Sequence, residues 1–405
     1  MSSVRHDLFW KAPKAGAYAL CDSSYTRVSG TEKMCRHGYM TQSDRLDDLA
    51  VGFSPDNGAT WTAFQSLKVV EPLPGGGAMR RHYMPPFVDP VTGRMLIMVN
   101  EGKRPADDPI KDGMTQTYLG YCVSLDGGRT LAVQEQVIEE GGTPEKPLRG
   151  VTVGRNAVMI GDAGCEPIRT KGGRILVPCQ VCPVGPDGKY INLGGGLSYH
   201  EAAVLIGRWS QNPSDCRLTW RLSPYVRNDP AKSTRGAVEP TIAQFPDGRI
   251  LMVLRGSNDV KPELPGHRWY SVSGDEGETW GPVKPWTYDG GESFFSPSSM
   301  SQLLPLANGE IWWVGNISER NPRGNGPRWP LVIGRVNPRT LLLERATVRV
   351  VDTRREGEWE GMTLSNFHAH QDRVTGEVLV HVSRWRTVKE DWTADALLFR
   401  LGLQD

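Results

Sequence analysis

The sequence lacks the features that mark membrane-spanning, secreted and nucleic-acid-binding chains. No stretch reaches about 18 consecutive apolar residues, so no segment is predicted to span a bilayer. The N-terminal residues contain no apolar core of a signal peptide, so we expect a cytoplasmic protein, or a secreted or periplasmic one whose leader has been removed. The net charge is +1, so neither nucleic acid nor a membrane is expected as a partner. The sequence predicts no particular oligomeric state.

Cysteine is also scarce, with seven residues in a chain of 405. This number is too small to suggest a disulfide scaffold. Cys179 and Cys182 form a C-x-x-C pair, but no second Cys/His pair follows at the spacing of a zinc site, so we interpret both as ordinary strand and loop thiols. The sequence therefore gives no site for a metal or a cofactor.

Helical periodicity is almost absent, whereas short apolar runs are frequent. The runs RMLIMVN and RILMVLR, for example, follow the turns DPVTG and FPDG. Glycine in such a turn supplies the positive φ that a strand reversal needs, so each combination is typical of a β-hairpin. Hydrophobic residues make up 38% of the chain, which is sufficient for a core. These features predict an all-β protein.

One turn sequence, Ser-x-Asp-x-Gly-x-Thr, occurs three times. The copies begin at Ser54, Ser124 and Ser273, so they lie 70 and 149 residues apart, and the second interval is about twice the first. A degenerate copy at 209–221 falls inside the longer interval, and the glycine-bearing turns divide the chain into units of about 60 to 75 residues. A four-stranded sheet cannot cover its own faces, whereas a closed ring of such sheets can. The sequence therefore predicts one domain, 1–405, folded as a six-bladed β-propeller of four-stranded antiparallel blades.

The repeated turn resembles the Asp box, or BNR repeat, of the sialidase (neuraminidase) superfamily. In the first copy we expect Asp56 to accept hydrogen bonds from turn amides, Gly58 to permit the reversal and Thr60 to tie the turn to its strand. Trp61 is expected to pack between blades. The resemblance implies a sialidase-like propeller with its Asp boxes on the outer rim, away from the axial cleft. We therefore interpret these residues as structural.

A second stretch, VEPTIAQFPDGRILMVLRGS, resembles the sialidase pattern in which a Glu begins an inner strand and an Arg ends the next one. These residues are Glu239 and Arg255. The resemblance implies that Glu239 is a catalytic base and that Arg255 belongs to an arginine triad, whose planar guanidinium groups bind the substrate carboxylate. The segment NGPRWPLVIGRV resembles the one that carries the last arginine, which implies Arg328. The structural alternative is an ion pair between Glu239 and Arg255.

The sequence departs from the family pattern at two positions. The first arginine of the triad should begin an early blade, where this chain has Tyr83. Arg80 and Arg81 lie just upstream as candidate substitutes, with Arg27 and Arg36 as weaker ones, and we assign Arg81. The nucleophilic tyrosine should begin the last blade, where this chain has Leu364. A mechanism through a tyrosyl-enzyme intermediate is therefore not predicted. Hydrolysis would instead depend on two carboxyl groups, one protonated and one ionised.

Candidates for the protonated carboxyl group lie in two places. The family's acid/base Asp precedes the first Asp box, where this chain has Asp44, Asp47 and Asp48, and one of them is expected to point inward. Glu166 begins the third predicted blade in a second Glu-Pro pair. Its structural alternative is an ion pair with a nearby arginine. We assign the acid to one of Asp47, Asp48 and Glu166.

The histidines suggest a second class of enzyme, a polysaccharide lyase. A β-elimination on a uronic acid needs a cation at the carboxylate, a base for the C5 proton and an acid for the leaving oxygen. His82 and Tyr83 form an adjacent pair that could supply the base and the acid. His37, His200 and His368 also flank predicted blade starts, and we assign them to substrate binding.

A third class is a non-catalytic, carbohydrate-binding propeller in which tryptophan faces stack on sugar rings. Charged residues concentrated at the predicted blade tops favour an enzyme. The sequence thus predicts a sialidase-like exo-glycosidase that acts on the terminal carboxylate-bearing sugar of a glycan or oligosaccharide. Arg255, Arg328 and Arg81 form the predicted anion clamp, and Glu239 is the predicted base.

Overall fold

The computed structural model describes residues 4–104, 115–212 and 214–403. These residues form 27 β-strands and one short 3-10 helix, Arg345–Thr347. Nowhere in the described ranges is there a helix of the length and apolarity needed to cross a membrane. The prediction of an all-β protein is confirmed.

The strands are arranged as six antiparallel blades, and β1 (Arg5–Trp10) belongs to the last of them. Blade 1 consists of β2 (Tyr18–Tyr25), β3 (Lys33–Gln42), β4 (Arg45–Ser54) and β5 (Gln65–Ser66). Blade 2 consists of β6 (Val70–Pro72), β7 (Ala78–Tyr83), β8 (Phe87–Val88), β9 (Met95–Arg104), β10 (Thr117–Ser124) and β11 (Val133–Gln136). Blade 3 consists of β12 (Val158–Met159), β13 (Ile168–Arg169), β14 (Ile175–Val181), β15 (Glu201–Trp209) and β16 (Leu218–Leu222). Blade 4 consists of β17 (Val238–Gln244), β18 (Ile250–Arg255), β19 (Arg268–Ser273) and β20 (Lys284–Pro285). Blade 5 consists of β21 (Gln302–Pro305), β22 (Ile311–Asn316), β23 (Leu331–Arg335) and β24 (Arg349–Asp352). Blade 6 consists of β25 (His368–Gln371), β26 (Val378–Ser383), β27 (Ala396–Leu401) and β1.

The innermost strands of blades 2 and 3 are each split into two pieces. In blade 2 both β7 and β8 pair with β9, and in blade 3 both β12 and β13 pair with β14. Proline lacks the amide hydrogen that a ladder needs, so Pro85, Pro86 and Pro167 fit these interruptions. The breaks bring irregular backbone, and the side chains that it carries, to the axis of the ring.

The two ends of the chain close the ring together. Strand β1 pairs with β27, with Asp7 opposite Leu398, so the N-terminal strand is the outermost strand of the blade that the C-terminal strand builds. Apolar side chains then pack between neighbouring blades around the whole ring. Between blades 4 and 5, for example, Trp286 and Trp313 are fully buried with their ring centroids 5.3 Å apart. The predicted six-bladed propeller is confirmed.

The repeated turns have the predicted structure. In the first copy, Asp56 accepts hydrogen bonds from the Thr60 amide at 2.8 Å and the Thr60 hydroxyl at 2.6 Å, and Gly58 has φ +90°. The copies at Asp126 and Asp275 make the same pair of bonds. Each turn joins the last two strands of its blade, at the outer edge of the sheet. The degenerate copy at 209–221 likewise joins β15 and β16, the last two strands of blade 3.

Candidate active site

A cavity of about 530 Å³ lies where the innermost strands of the ring begin. Cavities of this size hold small ligands in many proteins. All six blades or their connecting loops contribute to its wall, whose polar and aromatic side chains include Tyr18, Asp44, His82, Asp162, His200, Arg235, Glu239, Arg255, Arg328, Asn366 and Trp385. Within the described ranges, no group of three His, Cys, Asp or Glu side chains is placed to hold a metal ion.

Arg255 and Glu239 form an ion pair in the cavity wall. Arg255, at the end of β18, is 6% exposed, and one of its terminal nitrogens donates to Oε1 of Glu239. It also donates to Ser298 Oγ at 2.8 Å and to Asn325 Oδ1 at 3.0 Å. These bonds hold the guanidinium plane in one orientation towards the cavity.

Arg235 and Arg328 line the same cavity, and neither forms an ion pair with a described carboxylate. Arg235, 7% exposed, donates to Ser198 Oγ at 2.6 Å, and Arg328, half-buried, donates to the carbonyl oxygen of Ser298 at 3.0 Å. The Nε atom of each has no partner in this part of the chain. Desolvation, and then the positive charge of Arg255, lowers the pKa of both arginines to about 10. They therefore leave the cavity with uncompensated positive charge.

Arg235 is the arginine that the sequence reasoning missed. The predicted third arginine, Arg81, does reach the cavity wall, but it donates to Glu71 at 2.5 Å and lies 3.5 Å from Glu101. Its charge is thus compensated by two carboxylates. Arg235 precedes Glu239 by four residues in the loop that enters blade 4, and that closeness to the recognised Glu is the signal that could have identified it.

Glu239 occupies an unusual backbone conformation. It has φ +46° at an irregularity in the pairing of β17 with β18, and its amide donates to Gln180 Oε1 at 2.7 Å. A Cβ atom at Gly161 would lie 2.3 Å from Glu239 Cγ, so a side chain at 161 cannot be accommodated there. While Oε1 accepts from Arg255, the buried Oε2 has no partner among the described residues. Glu239 is therefore an oriented carboxylate with one free oxygen.

A second carboxyl group, Asp162, lies next to Glu239 in the cavity wall. Its Oδ1 accepts from the Ala163 amide at 2.6 Å and its Oδ2 accepts from Asn366 Nδ2 at 2.9 Å. Desolvation, followed by the negative charge of Glu239, raises the pKa of Asp162 to about 7. The sequence reasoning missed this residue, because it took Glu166, four positions later, as the acid that begins blade 3.

The three candidate aspartates of the first blade differ in whether they line the cavity. Asp44, at φ +60° in the β3–β4 hairpin, lines the cavity. Asp47 instead accepts hydrogen bonds from the amide and hydroxyl of Thr41, both at 2.8 Å, and Asp48 accepts one from Ser66 at 3.0 Å. Neither is among the side chains that line the cavity. The structure thus places two of the three candidates for the acid outside the cavity wall.

Glu166 and His368 lie outside the cavity wall and contact each other. Glu166 Oε1 is 2.7 Å from His368 Nε2, while its Oε2 accepts from Gln302 Nε2 at 3.2 Å. Burial by itself lowers the pKa of His368, but the bond and charge of Glu166 raise it overall. Blades 3 and 6 are opposite each other in a six-membered ring, so this bridge crosses the axis of the propeller and Gln302 of blade 5 joins it.

The predicted histidines also differ in whether they line the cavity. His82 and His200 line the cavity, and desolvation lowers their pKa values to about 4 and about 3, which leaves both imidazoles neutral at pH 7. His37 lies elsewhere, stacked on Trp10 with ring centroids 3.6 Å apart. Tyr83 does not line the cavity with His82 and packs instead against apolar clusters of blades 1 and 2.

An aromatic shelf, formed by Trp359, Trp385, Trp392 and Tyr18, makes the part of the wall nearest to blades 6 and 1. Tyr18 stacks on Trp385 at 4.9 Å, and Trp392 is 5.0 Å from Trp385. The guanidinium of Arg386 lies 4.4 Å from the centroid of the Trp359 ring, a cation–π contact. Arg386 also forms no ion pair with a described carboxylate. Arg235 and Arg328 come instead from the loops of blades 4 and 5 and, with Arg255, form a cationic side that is distinct from this aromatic side.

The position predicted to correspond to the family's nucleophilic tyrosine is part of the core. Leu364 is fully buried and packs between blades 5 and 6. Its neighbours Ser365 and Asn366 line the cavity, and Asn366 has φ +56°. The wall at this point therefore presents a hydroxyl and an amide.

The fold and the cavity together define a divergent, sialidase-like propeller with an arginine-rich axial site. The chain belongs to the BNR repeat-like domain family, whose sequence model matches residues 38–359. No curated protein matches the sequence significantly.

Solved structures agree with this class of fold. The chain is similar over 99% of its length to a Dyadobacter fermentans protein of unknown function, with 99% of that chain covered, a TM-score of 0.63 and 17% identity. It is similar to the NanB sialidase of Streptococcus pneumoniae, with 99% of this chain and 70% of that one covered, a TM-score of 0.59 and 12% identity. A Trypanosoma rangeli sialidase in complex with sialic acid gives coverages of 99% and 59%, a TM-score of 0.58 and 12% identity. At these identities the likeness shows the fold alone.

Proposed function

We propose that the protein is a glycoside hydrolase that binds the terminal, carboxylate-bearing sugar of a glycan in the axial cavity. The supporting observation is that Arg235 and Arg328 line the same wall as Arg255 and form no ion pair within the described ranges. Keeping a guanidinium group away from water without a counter-ion is unfavourable, and an anionic ligand would remove that cost. A carboxylate matches the paired donors of a guanidinium better than a spherical anion does.

Glu239 supplies the base for this reaction. Its Oε2 has no partner in the described part of the chain, so it can accept a proton from a water molecule, and its bond to Arg255 fixes its orientation. The aromatic shelf lies beside the cationic side, where the apolar face of the next sugar could stack on tryptophan rings. The sialidase names of the structural neighbours are consistent with such a glycan substrate.

The experiment is a screen of sialosides and uronate-capped oligosaccharides, in which products are identified by mass. A hydrolase adds one water molecule per bond cleaved and releases the acidic terminal sugar. The variant Arg328→Gln, which removes one clamp charge, should release at least tenfold less product at limiting substrate. Neutral oligosaccharides of the same length serve as the control. If they are cleaved as fast as the acidic ones, the proposed specificity is wrong.

A lyase acting on uronic acids is the second candidate, and one observation favours it. His82 and His200 both face the cavity as neutral imidazoles, and neither nitrogen of His200 has a partner among the described residues. A neutral imidazole can remove the C5 proton while the arginines hold the carboxylate. The same screen separates the two reactions, because elimination cleaves the bond without adding water and gives an unsaturated product that absorbs in the near ultraviolet. Binding of an acidic glycan without any product would indicate a binding protein.

A further inference from the structure

The carboxyl groups of Asp162 and Glu239 come from different blades but share one short section of the cavity wall. Glu239 packs directly over Gly161, the residue before Asp162, where a Cβ atom would lie 2.8 Å from Glu239 Cα. Two carboxyl groups that interact in a buried wall do not both ionise easily, so one of them is expected to hold a proton. Glu239 already forms an ion pair with Arg255, which leaves Asp162 as the partner that holds the proton.

Asp162 also has the orientation that a proton donor needs. Its Oδ1 accepts the Ala163 amide and its Oδ2 accepts the amide of Asn366, so the plane of the carboxyl group is fixed from two sides. Its raised pKa agrees with the geometry, because near neutral pH a substantial fraction of the group carries a proton. Asp44, a third carboxylate in the cavity wall, has among the described residues only the neighbouring Ser43 hydroxyl as a side-chain partner, at 2.9 Å.

The tyrosine that lines the cavity is not prepared for nucleophilic attack. Tyr18 donates its hydroxyl to the sulfur of Met40 at 3.2 Å, and no described carboxylate or imidazole accepts it. Burial, followed by the charges of Asp44 and Asp162, raises the pKa of the phenol far above its usual value. An activated nucleophile needs the opposite arrangement, a base within hydrogen-bonding distance or a lowered pKa.

Building on the proposed hydrolysis, we propose that Asp162 is the catalytic acid of this site and that Asn366 is its positioning residue. Asp162 gives its proton to the glycosidic oxygen while the bond between that oxygen and the anomeric carbon breaks, and the bonding electrons leave with the oxygen. Water adds to the anomeric carbon and loses its proton to Glu239 Oε2. Proton exchange with solvent then returns Asp162 to its protonated form and Glu239 to its charged form.

The role can be tested with two substrates that carry the same acidic sugar, one linked to 4-nitrophenol and one linked to a second sugar. Nitrophenolate departs without a proton, whereas a sugar alkoxide needs one. We therefore expect Asp162→Asn to reduce kcat on the sugar-linked substrate at least 100-fold and on the nitrophenyl substrate less than tenfold. Asp187→Asn makes the same chemical change on an exposed turn, where Asp187 bonds the Lys189 amide, and should leave both rates unchanged. Equal losses on the two substrates would overturn the role of Asp162.

Asn366→Gly tests the positioning residue, because glycine tolerates the positive φ and lacks the side-chain amide that bonds Asp162. With the amide removed, the alkaline limb of the pH profile of kcat should move to lower pH with KM unchanged, and kcat should fall about tenfold because the carboxyl group is no longer held in one orientation.

 The space left by the amide admits water next to Asp162, and this water both replaces the lost hydrogen bond and relieves the desolvation that is the main cause of the raised pKa. A merely structural role for Asn366 would lower the melting temperature without moving the pH profile.

The outcomes also separate this inference from the proposed function. Asp162→Asn should still bind the free acidic sugar with unchanged affinity in calorimetry, because the arginine clamp is intact. If the wild-type protein neither binds nor cleaves any acidic glycoside, the proposed function is wrong. If it cleaves them and Asp162→Asn cleaves both substrates at the wild-type rate, only the assignment of Asp162 is wrong. Should Asp162→Asn fail to fold, Asn366→Gly and the wild-type pH profile decide the question.

Discussion

Arg255 and Glu239 form an ion pair across the start of blade 4, and the pair faces the axial cavity. The antiparallel register explains why they meet, because Arg255 is opposite Val238 and the irregularity after Val238 turns Glu239 towards the axis. The pair compensates one of three arginine charges on the cationic side. Across residues 4–104, 115–212 and 214–403, Glu239 Oε2 has no partner and Arg235 and Arg328 form no ion pair, so these groups are available to a ligand.

Replacing Glu239 by glutamine should abolish turnover and preserve the fold. The amide keeps the size of the side chain but cannot accept a proton, so we expect kcat to fall at least 100-fold. Arg255 loses its counter-charge at the same time, so the affinity for an acidic sugar should increase. Calorimetry with the free sugar and a steady-state assay measure the two effects. Wild-type turnover in this variant would remove Glu239 from the mechanism.

Arg235→Gln should stabilise the free protein and weaken ligand binding. Arg235 is buried and forms no ion pair with any carboxylate that the structure describes, so its removal relieves a desolvation cost, and we expect the free energy of unfolding to rise by about 1–3 kcal/mol. The increase in melting temperature that an acidic sugar produces should disappear in the same variant. Arg217→Gln, at an arginine whose side chain is 57% exposed, is the control and should change neither quantity. A destabilised variant that still responds to the sugar would contradict a role in anion binding.

The sequence predicts the fold well because the information for it is local. Each Asp box contains its own hydrogen-bonding residues within a few positions, as Asp56 and Thr60 show, so the motif can be recognised without tertiary contacts. The closeness of Glu239 and Arg255 was also predictable, because one hairpin brings them together. These features need only the pairing of neighbouring strands.

The rest of the site depends on contacts between distant blades. Glu166 and Glu239 both precede a proline, but the inner strand of blade 3 is split. Glu166 therefore contacts His368, and Asp162 lines the cavity wall in its stead. Arg235 comes from a loop, and no periodic pattern gives the direction of its side chain. Such positions are set by packing across the axis, which a single sequence does not display.

Acid should destabilise the protein through its buried histidines. Desolvation lowers the pKa values of His82 to about 4 and of His200 and His381 to about 3, whereas the unfolded chain has the ordinary value of about 6.5. Between pH 6.5 and 4 the unfolded chain therefore binds more protons, and the free energy of unfolding falls as the pH falls, by about 1.4 kcal/mol per pH unit for each proton taken up. The raised pKa of Asp162 acts in the opposite direction between about pH 4 and 7 but concerns one proton only.

Urea unfolding measured from pH 7.5 to 4.5 tests this slope. His200→Gln should reduce it, because the variant removes one histidine that stays neutral in the folded state. His6→Gln, at an exposed histidine of β1, provides the matched control and should leave the slope unchanged. A stability that is constant from pH 6.5 to 4.5 would mean that the histidines are protonated in the folded protein.

Glu166→Gln should affect stability more than chemistry, because Glu166 contacts His368 and does not line the cavity. The folded-state pKa of His368 is raised, so the charged pair contributes fully below pH 6.5 and this contribution is lost as the pH rises through the folded-state pKa. We therefore expect the variant to lose about 1–3 kcal/mol of unfolding free energy at pH 6 and less at pH 9, with turnover within about twofold of wild type. Glu292→Gln, at a side chain that is 58% exposed, is the control. A loss of turnover beyond 100-fold at unchanged stability would instead place Glu166 in the reaction, as its Glu-Pro pattern first suggested.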